Sequence, residues 1–234
     1  MLPNLPFYIA AVFILTTAAT VWLLARAANN NRTTLIIISL WAVCQAILSL
    51  SGFYKNTEGF PPRLALLGLP PLLFIIGLLT TERGKEFIQQ IDLQRLTALS
   101  VVRIPVEIVL LWLFQNGVIP QIMTFEGRNF DILMGLTAPI VAVMAFQNGR
   151  LPRRSLLIGW HLVAILFLLN IVVIAVLSAP TVLQRFAFDQ PNVAILYFPF
   201  VWLPSVVVPI VLFSHLASLK KLFSIQNTEG YVSA

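Results

Sequence analysis

Ser155–Ala179 reads SLLIGWHLVAILFLLNIVVIAVLSA, 25 residues with no lysine, arginine, aspartate or glutamate among them. A helix crosses a hydrocarbon core about 30 Å thick with about 20 predominantly apolar residues, so this run predicts a membrane span. Six further runs of the same character predict spans at Pro6–Ala25, Leu35–Tyr54, Leu64–Thr80, Thr97–Gln115, Asp131–Phe146 and Val193–Leu219. The fold class expected is all-α, a polytopic membrane protein with seven transmembrane helices. Continuous apolar runs are not the alternating pattern of an outer-membrane barrel. The first run has no basic n-region and no small-residue cleavage site, so it predicts a span rather than a removable leader.

Composition agrees. Of 234 residues, 59% are hydrophobic and 10% charged, and the mean hydropathy is +0.90. An average soluble domain carries about 25% charged residues. A soluble globule, a disordered chain, a nucleic-acid-binding domain and a disulfide scaffold are all excluded. One cysteine, Cys44, forms no internal bridge, and with two histidines it supplies too few ligands for a structural zinc or iron–sulfur site. No cofactor and no nucleic-acid partner are expected.

The net charge of +6 is explained by topology. Lysine and arginine accumulate in cytoplasmic loops. One set of connections holds Arg26, Arg32, Arg83, Lys85, Arg95, Arg150, Arg153, Arg154, Lys220 and Lys221. The other holds only Lys55, Arg63, Arg128 and Arg185. This asymmetry predicts the N-terminus outside and the C-terminus in the cytoplasm, in a plasma (inner) membrane crossed several times, with the lipid bilayer as the first partner. The loops are short, so a single transmembrane domain is expected over residues 1–222 and a polar, frayed tail over 223–234. Residues 81–96 place Phe87, Ile88 and Ile91 on one face and Glu82, Lys85 and Glu86 on the other. They predict an amphipathic helix lying at the headgroups or receiving a partner.

The polar residues inside spans carry the functional argument, because a lipid-facing ionisable group costs several kcal/mol. In Thr97-Ala-Leu-Ser100-Val-Val-Arg103-Ile-Pro105-Val-Glu107, the residues Thr97, Ser100, Arg103 and Glu107 share about a third of the helix circumference with Gln115. Arg103 and Glu107, spaced i, i+4, are placed to pair directly. Counted at about 1.5 Å per residue from the cytoplasmic ends, Arg103, His161 and His215 lie about 7–9 Å deep, and Glu107 and Gln45 about 15 Å. Arg103, His161 and His215 are candidates for one polar layer, Glu107 and Gln45 for another. Together they form a candidate site for a proton or a small-molecule ligand. Glu126 and Asp131 are expected at an outer mouth. Pro199, Pro204 and Pro209, at five-residue spacing in the last span, predict a hinged helix.

No G-x-S-x-G or H-E-x-x-H motif occurs, so hydrolase chemistry has no support. The leading reading is a transporter or ligand-binding carrier for a small solute. The alternatives are a non-catalytic subunit or sensor that binds a partner, and a lipid-modifying membrane enzyme using His161 and Glu107.

Two resemblances add to this. Ala28-Asn-Asn-Asn-Arg32, followed by Trp41 and Ala46-Ile-Leu48, corresponds to Ala145-Phe-Gln-Asn-Gly-Arg150, followed by Trp160 and Ala164-Ile-Leu166. A 3+1+3 parallel repeat of this kind, with the N-terminus outside, resembles the architecture of the SWEET and PQ-loop transporters. The segments Phe125–Pro139 and Pro204–His215 resemble small bacterial membrane proteins of unassigned activity, which implies a bacterial inner membrane and no particular chemistry.

Overall fold

The computed structural model describes residue 2, residues 5–146 and residues 153–232, the last eight by their backbone. Arg150 and the Gln147–Arg150 part of the repeat lie outside the described residues. The described chain is helical: α1 (Phe7–Ala27), α2 (Arg32–Leu50), α3 (Ala65–Thr80), α4 (Glu82–Gln90), α5 (Leu93–Ala98), α6 (Arg103–Gln115), α7 (Asp131–Ala145), α8 (Arg154–Leu177) and α9 (Val208–Val232). Five helical stretches are long and apolar enough to cross a membrane, namely α1, α2, Leu93–Gln115, α8 and Leu203–Ser224. α3 is shorter and bends by 87° into polar α4, and α7 has only 15 residues.

Prolines shape the two most buried spans. Pro105 lacks the N–H that would bond the carbonyl of Val101, and the chain over Leu99–Val102 tightens into a 3-10 turn joining α5 to α6. The last span starts at Leu203, ten residues later than the apolar run, with a π-turn over Leu203–Val207. Pro199 precedes it in an irregular segment, Pro204 sits in its first turn, and only Pro209 lies in α9. The three-proline hinge is thus not a feature of one helix, because the chain from Val193 to Trp202 is folded in turns. Pro209 withholds the i+4 donor from the Ser205 carbonyl, and Trp41 Nε1 of α2 supplies one at 2.8 Å. Trp202 Nε1 reciprocates to the Ala42 carbonyl at 2.8 Å. A freed carbonyl in a membrane helix must find such a partner.

α9 and the α5–α6 span form the centre. α1, α7 and α8 surround them, and α3 packs mainly on α9 and α4. α2 is peripheral, with Gln45 and Ser49 its only buried residues. The 3+1+3 layout is not followed: α3 joins α9 rather than bundling with α1 and α2, and the Leu93–Gln115 stretch is the core, not a linker.

The 81–96 segment is corrected at its end. α4 stops at Gln90, and Leu93 onward belongs to the apolar stretch Leu93–Gln115. Thr81 caps α4 by accepting from Gly84 N at 3.3 Å. A Cβ at Gly84 would lie 2.2 Å from the Leu78 carbonyl oxygen, so only glycine permits this bend. The apolar face turns inward: Ile88 and Ile91 are buried, and Phe87 stacks on Phe213. Lys221 Nζ donates to the Gln89 and Ile91 carbonyls at 2.8 and 2.6 Å, closing the C-terminus of α4. The backbone of the tail continues α9 to Val232.

Candidate functional site

Arg103 opens α6 and is buried at 3% exposure. The bridge expected between it and Glu107 is replaced by another. Arg103 Nη1 donates to Asp131 Oδ1 at 2.9 Å, and the guanidinium also reaches the Ala164 carbonyl. Asp131 is therefore not at an outer mouth. It is 4% exposed because the connection 116–130 folds down into the bundle and starts α7 inside it. Such a loop is tolerated only with its backbone satisfied. Here Arg128 N bonds Ile122 O, Asn129 N bonds Thr124 O, and Gln190 Nε2 reaches the Ile119 carbonyl. Gly135 lets α7 approach α6 closely, since a Cβ there would lie 2.8 Å from Ile104 Cγ1 and 3.0 Å from Ile104 N. Glu126 is exposed on the same connection, apart from the cluster.

Glu107 is 1% exposed. Asn129 Nδ2 donates to its Oε1 at 2.6 Å and to the Met123 carbonyl, while Asn129 Oδ1 accepts from Asp131 N. Among the described residues, Glu107 Oε2 has no hydrogen-bond partner, nor has Arg103 Nε. Asn129 was missed in the sequence. The signal was present in Asn129-Phe-Asp131, where an asparagine side chain bonds the backbone two residues on.

Both histidines join the arginine. Arg103 Nη2 approaches His215 Nε2 at 2.8 Å, His215 Nδ1 approaches His161 Nδ1 at 2.8 Å, and His161 Nε2 faces Thr97 Oγ1 at 3.5 Å. Thr97 Oγ1 donates to the Leu93 carbonyl. A guanidinium only donates, and a neutral imidazole has one donor and one acceptor nitrogen. Both tautomers follow. His215 accepts at Nε2 and carries its proton on Nδ1; His161 accepts at Nδ1 and carries its proton on Nε2. The bonds run one way, from Arg103 through both rings to Thr97. Trp160 covers the pair edge-on, 5.1 Å from His161 and 5.6 Å from His215, and its Nε1 bonds Thr137 Oγ1.

Gln45 is buried elsewhere. It accepts from the Tyr54 hydroxyl, in a small cluster with Leu67 and Val201, and does not form a layer with Glu107.

A cleft of about 480 Å³ lies between α3 and α8, floored by α6 and α9. Its lining is apolar except for Glu107, Asp131 and Thr181. Leu69 and Leu72 of α3 and Leu169 and Val176 of α8 line it and are also exposed on the flank of the molecule. The cleft also reaches the connections at one end of these helices, at Pro62 and Leu64 before α3 and at Ala179, Thr181 and Leu183 after α8.

Apolar helices of spanning length around a buried ionic cluster fit an integral membrane protein of the helical, polytopic class. Residues 61–223, more than two thirds of the chain, match the model of a family described as a domain of unknown function (DUF8737), and the chain belongs to that family. No curated protein and no solved structure matches it.

Proposed function

We propose that the protein is a membrane-embedded carrier or binding protein for a small, largely apolar molecule. The ligand reaches the α3–α8 cleft from within the bilayer. One observation carries this reading: Glu107, whose carboxylate oxygen Oε2 is buried without a hydrogen-bond partner among the described residues, lines a cleft that is apolar but for it, Asp131 and Thr181. Ligand sites are commonly concave, about 300–1,000 Å³, mainly apolar, with a few placed polar groups. Intramembrane ionisable residues mark substrate or proton paths. The apolar side of α4 is occupied by α9, so the alternative of a subunit that binds a partner would use an exposed span such as α2 instead.

The same proposal takes all seven apolar helices as spans, with the N-terminus outside and the chain in the plasma membrane, as the loop charges suggest. α7, about 22 Å long, then starts below the outer surface, where the connection 116–130 covers it. Residues 1–222 form one domain on this reading.

Gly68 lines the cleft with open space at its Cβ position, so Gly68→Phe is chosen to occupy the cleft. Small molecules co-purifying with the wild type, Gly68→Phe and Glu107→Gln proteins are to be extracted and compared by mass spectrometry. The proposal expects an apolar species enriched in the wild type and lost from Gly68→Phe. Identical extracts at bulk-lipid proportions in all three would overturn it.

A further inference from the structure

The cluster holds two carboxylates, Asp131 and Glu107, and one guanidinium, Arg103. The hydrogen-bond directions leave both histidines neutral, so the buried ledger is one negative charge in excess. Asp131 is paired with Arg103, and Asn129 brings Glu107 only a neutral donor. A buried charge has to be paired or neutralised. The groups near Glu107 able to titrate are Arg103 on its own helix, Asp131 on α7, His161 on α8 and His215 on α9. α3, which forms the opposite wall, brings none, and α1 carries Tyr8 and Arg26 only near its two ends. The excess must therefore be met by a proton on Glu107 or by a positive charge from the cleft.

We propose that the ligand is a small lipophilic monocation that exchanges with a proton on Glu107, the apolar body lying between α3 and α8 and the charge against Oε2. This deepens the reading of the cleft above and rests on it. The exchange balances. The carboxyl O–H bond breaks, the proton leaves to solvent, and the cation takes its place beside the carboxylate, so the charge of the buried cluster is zero before and after. A neutral molecule would leave the carboxyl protonated and gain at most one hydrogen bond from it, with no release of a proton. An anion would add a second uncompensated charge beside Asp131 and Glu107.

Three probes of similar shape separate these cases: tetraphenylphosphonium, triphenylphosphine oxide and tetraphenylborate. Binding is measured on the purified full-length protein in uncharged detergent, for wild type, Glu107→Gln, Glu107→Asp and Gly68→Phe. Each protein's thermal unfolding midpoint is recorded to confirm folding. Saturable binding of tetraphenylphosphonium is expected, tighter at about pH 8 than at about pH 6, with about one proton released per cation bound. Glu107→Gln is expected to weaken it at least about tenfold, because the ligand's charge loses its partner, and Glu107→Asp to retain most of it. Tetraphenylphosphonium bound equally well by Glu107→Gln, or triphenylphosphine oxide bound as tightly as the cation, would overturn the exchange while leaving the cleft as a binding site. If no probe bound in a way that Gly68→Phe abolished, the cleft reading would fall as well.

Discussion

Replacing Asp131 by asparagine removes the negative partner of Arg103 while keeping the side chain's size. The pair is 2.9 Å apart, with side chains 3% and 6% exposed. Breaking a buried ion pair from one side costs about 3–5 kcal/mol, because the other charge is stranded. Here the loss is partly recoverable. Glu107 lies one turn further along the same helix with a free Oε2, so Arg103 can turn to it by giving up His215 and Ala164, bonds worth about 0.5–1.5 kcal/mol each. Asp131→Asn should therefore cost about 2–4 kcal/mol. For a chain of this length that lowers the thermal midpoint by about 5–15 °C. Glu107→Gln alone keeps the acceptor for Asn129 and puts a neutral amide in place of a neutral carboxyl, so it should cost under about 1 kcal/mol. The double variant strands Arg103 with neither carboxylate and should exceed the sum of the singles by at least about 1 kcal/mol. Unfolding in mild detergent, followed by the fluorescence of the five tryptophans, reads all three. Additive costs, or Glu107→Gln as damaging as Asp131→Asn, would refute this account of the cluster's charges.

Gly135→Ala should destabilise by about 1–3 kcal/mol through overpacking against Ile104, whereas Gly68→Ala, facing open space, should be nearly silent in the same melts. Trp41→Phe should cost about 1–3 kcal/mol, since it orphans the Ser205 carbonyl that Pro209 has freed. The direction of the histidine bonds is checked by nitrogen-15 NMR. His215 should carry its proton on Nδ1 and His161 on Nε2, with each ring assigned by replacing the other, and the opposite pair of tautomers would break the chain from Arg103.

The spans were legible because a continuous apolar run has few alternatives to a membrane helix, and α1, α2 and α8 start and end within a few residues of their runs. Where the chain turns while remaining apolar, hydropathy has no contrast to read. Val193–Trp202 is as apolar as the helix after it, so the last span starts later than its run. The same limit hid the connection 116–130. Its Gly117, Pro120 and Gly127 mark turns, but not that the turns fold inward and carry Asp131 to Arg103. Depth counting brought Arg103, His161 and His215 to one level, since rise per residue is fixed. It placed Gln45 beside Glu107 wrongly, because depth says nothing of which way a helix faces. The partner of Arg103 was misread for a related reason: i, i+4 spacing reveals neighbours on one helix, and Asp131 is 28 residues away.

The proposed entry to the cleft from within the bilayer is tested most directly at Gly68. With Cys44 replaced by alanine, Gly68→Cys in native membranes is exposed either to a lipid-soluble maleimide or to a charged, membrane-impermeant thiosulfonate. The account predicts labelling by the maleimide, little by the thiosulfonate, and protection from the maleimide when tetraphenylphosphonium is present. Ready labelling by the charged reagent from the aqueous side, or no labelling by either, would contradict it.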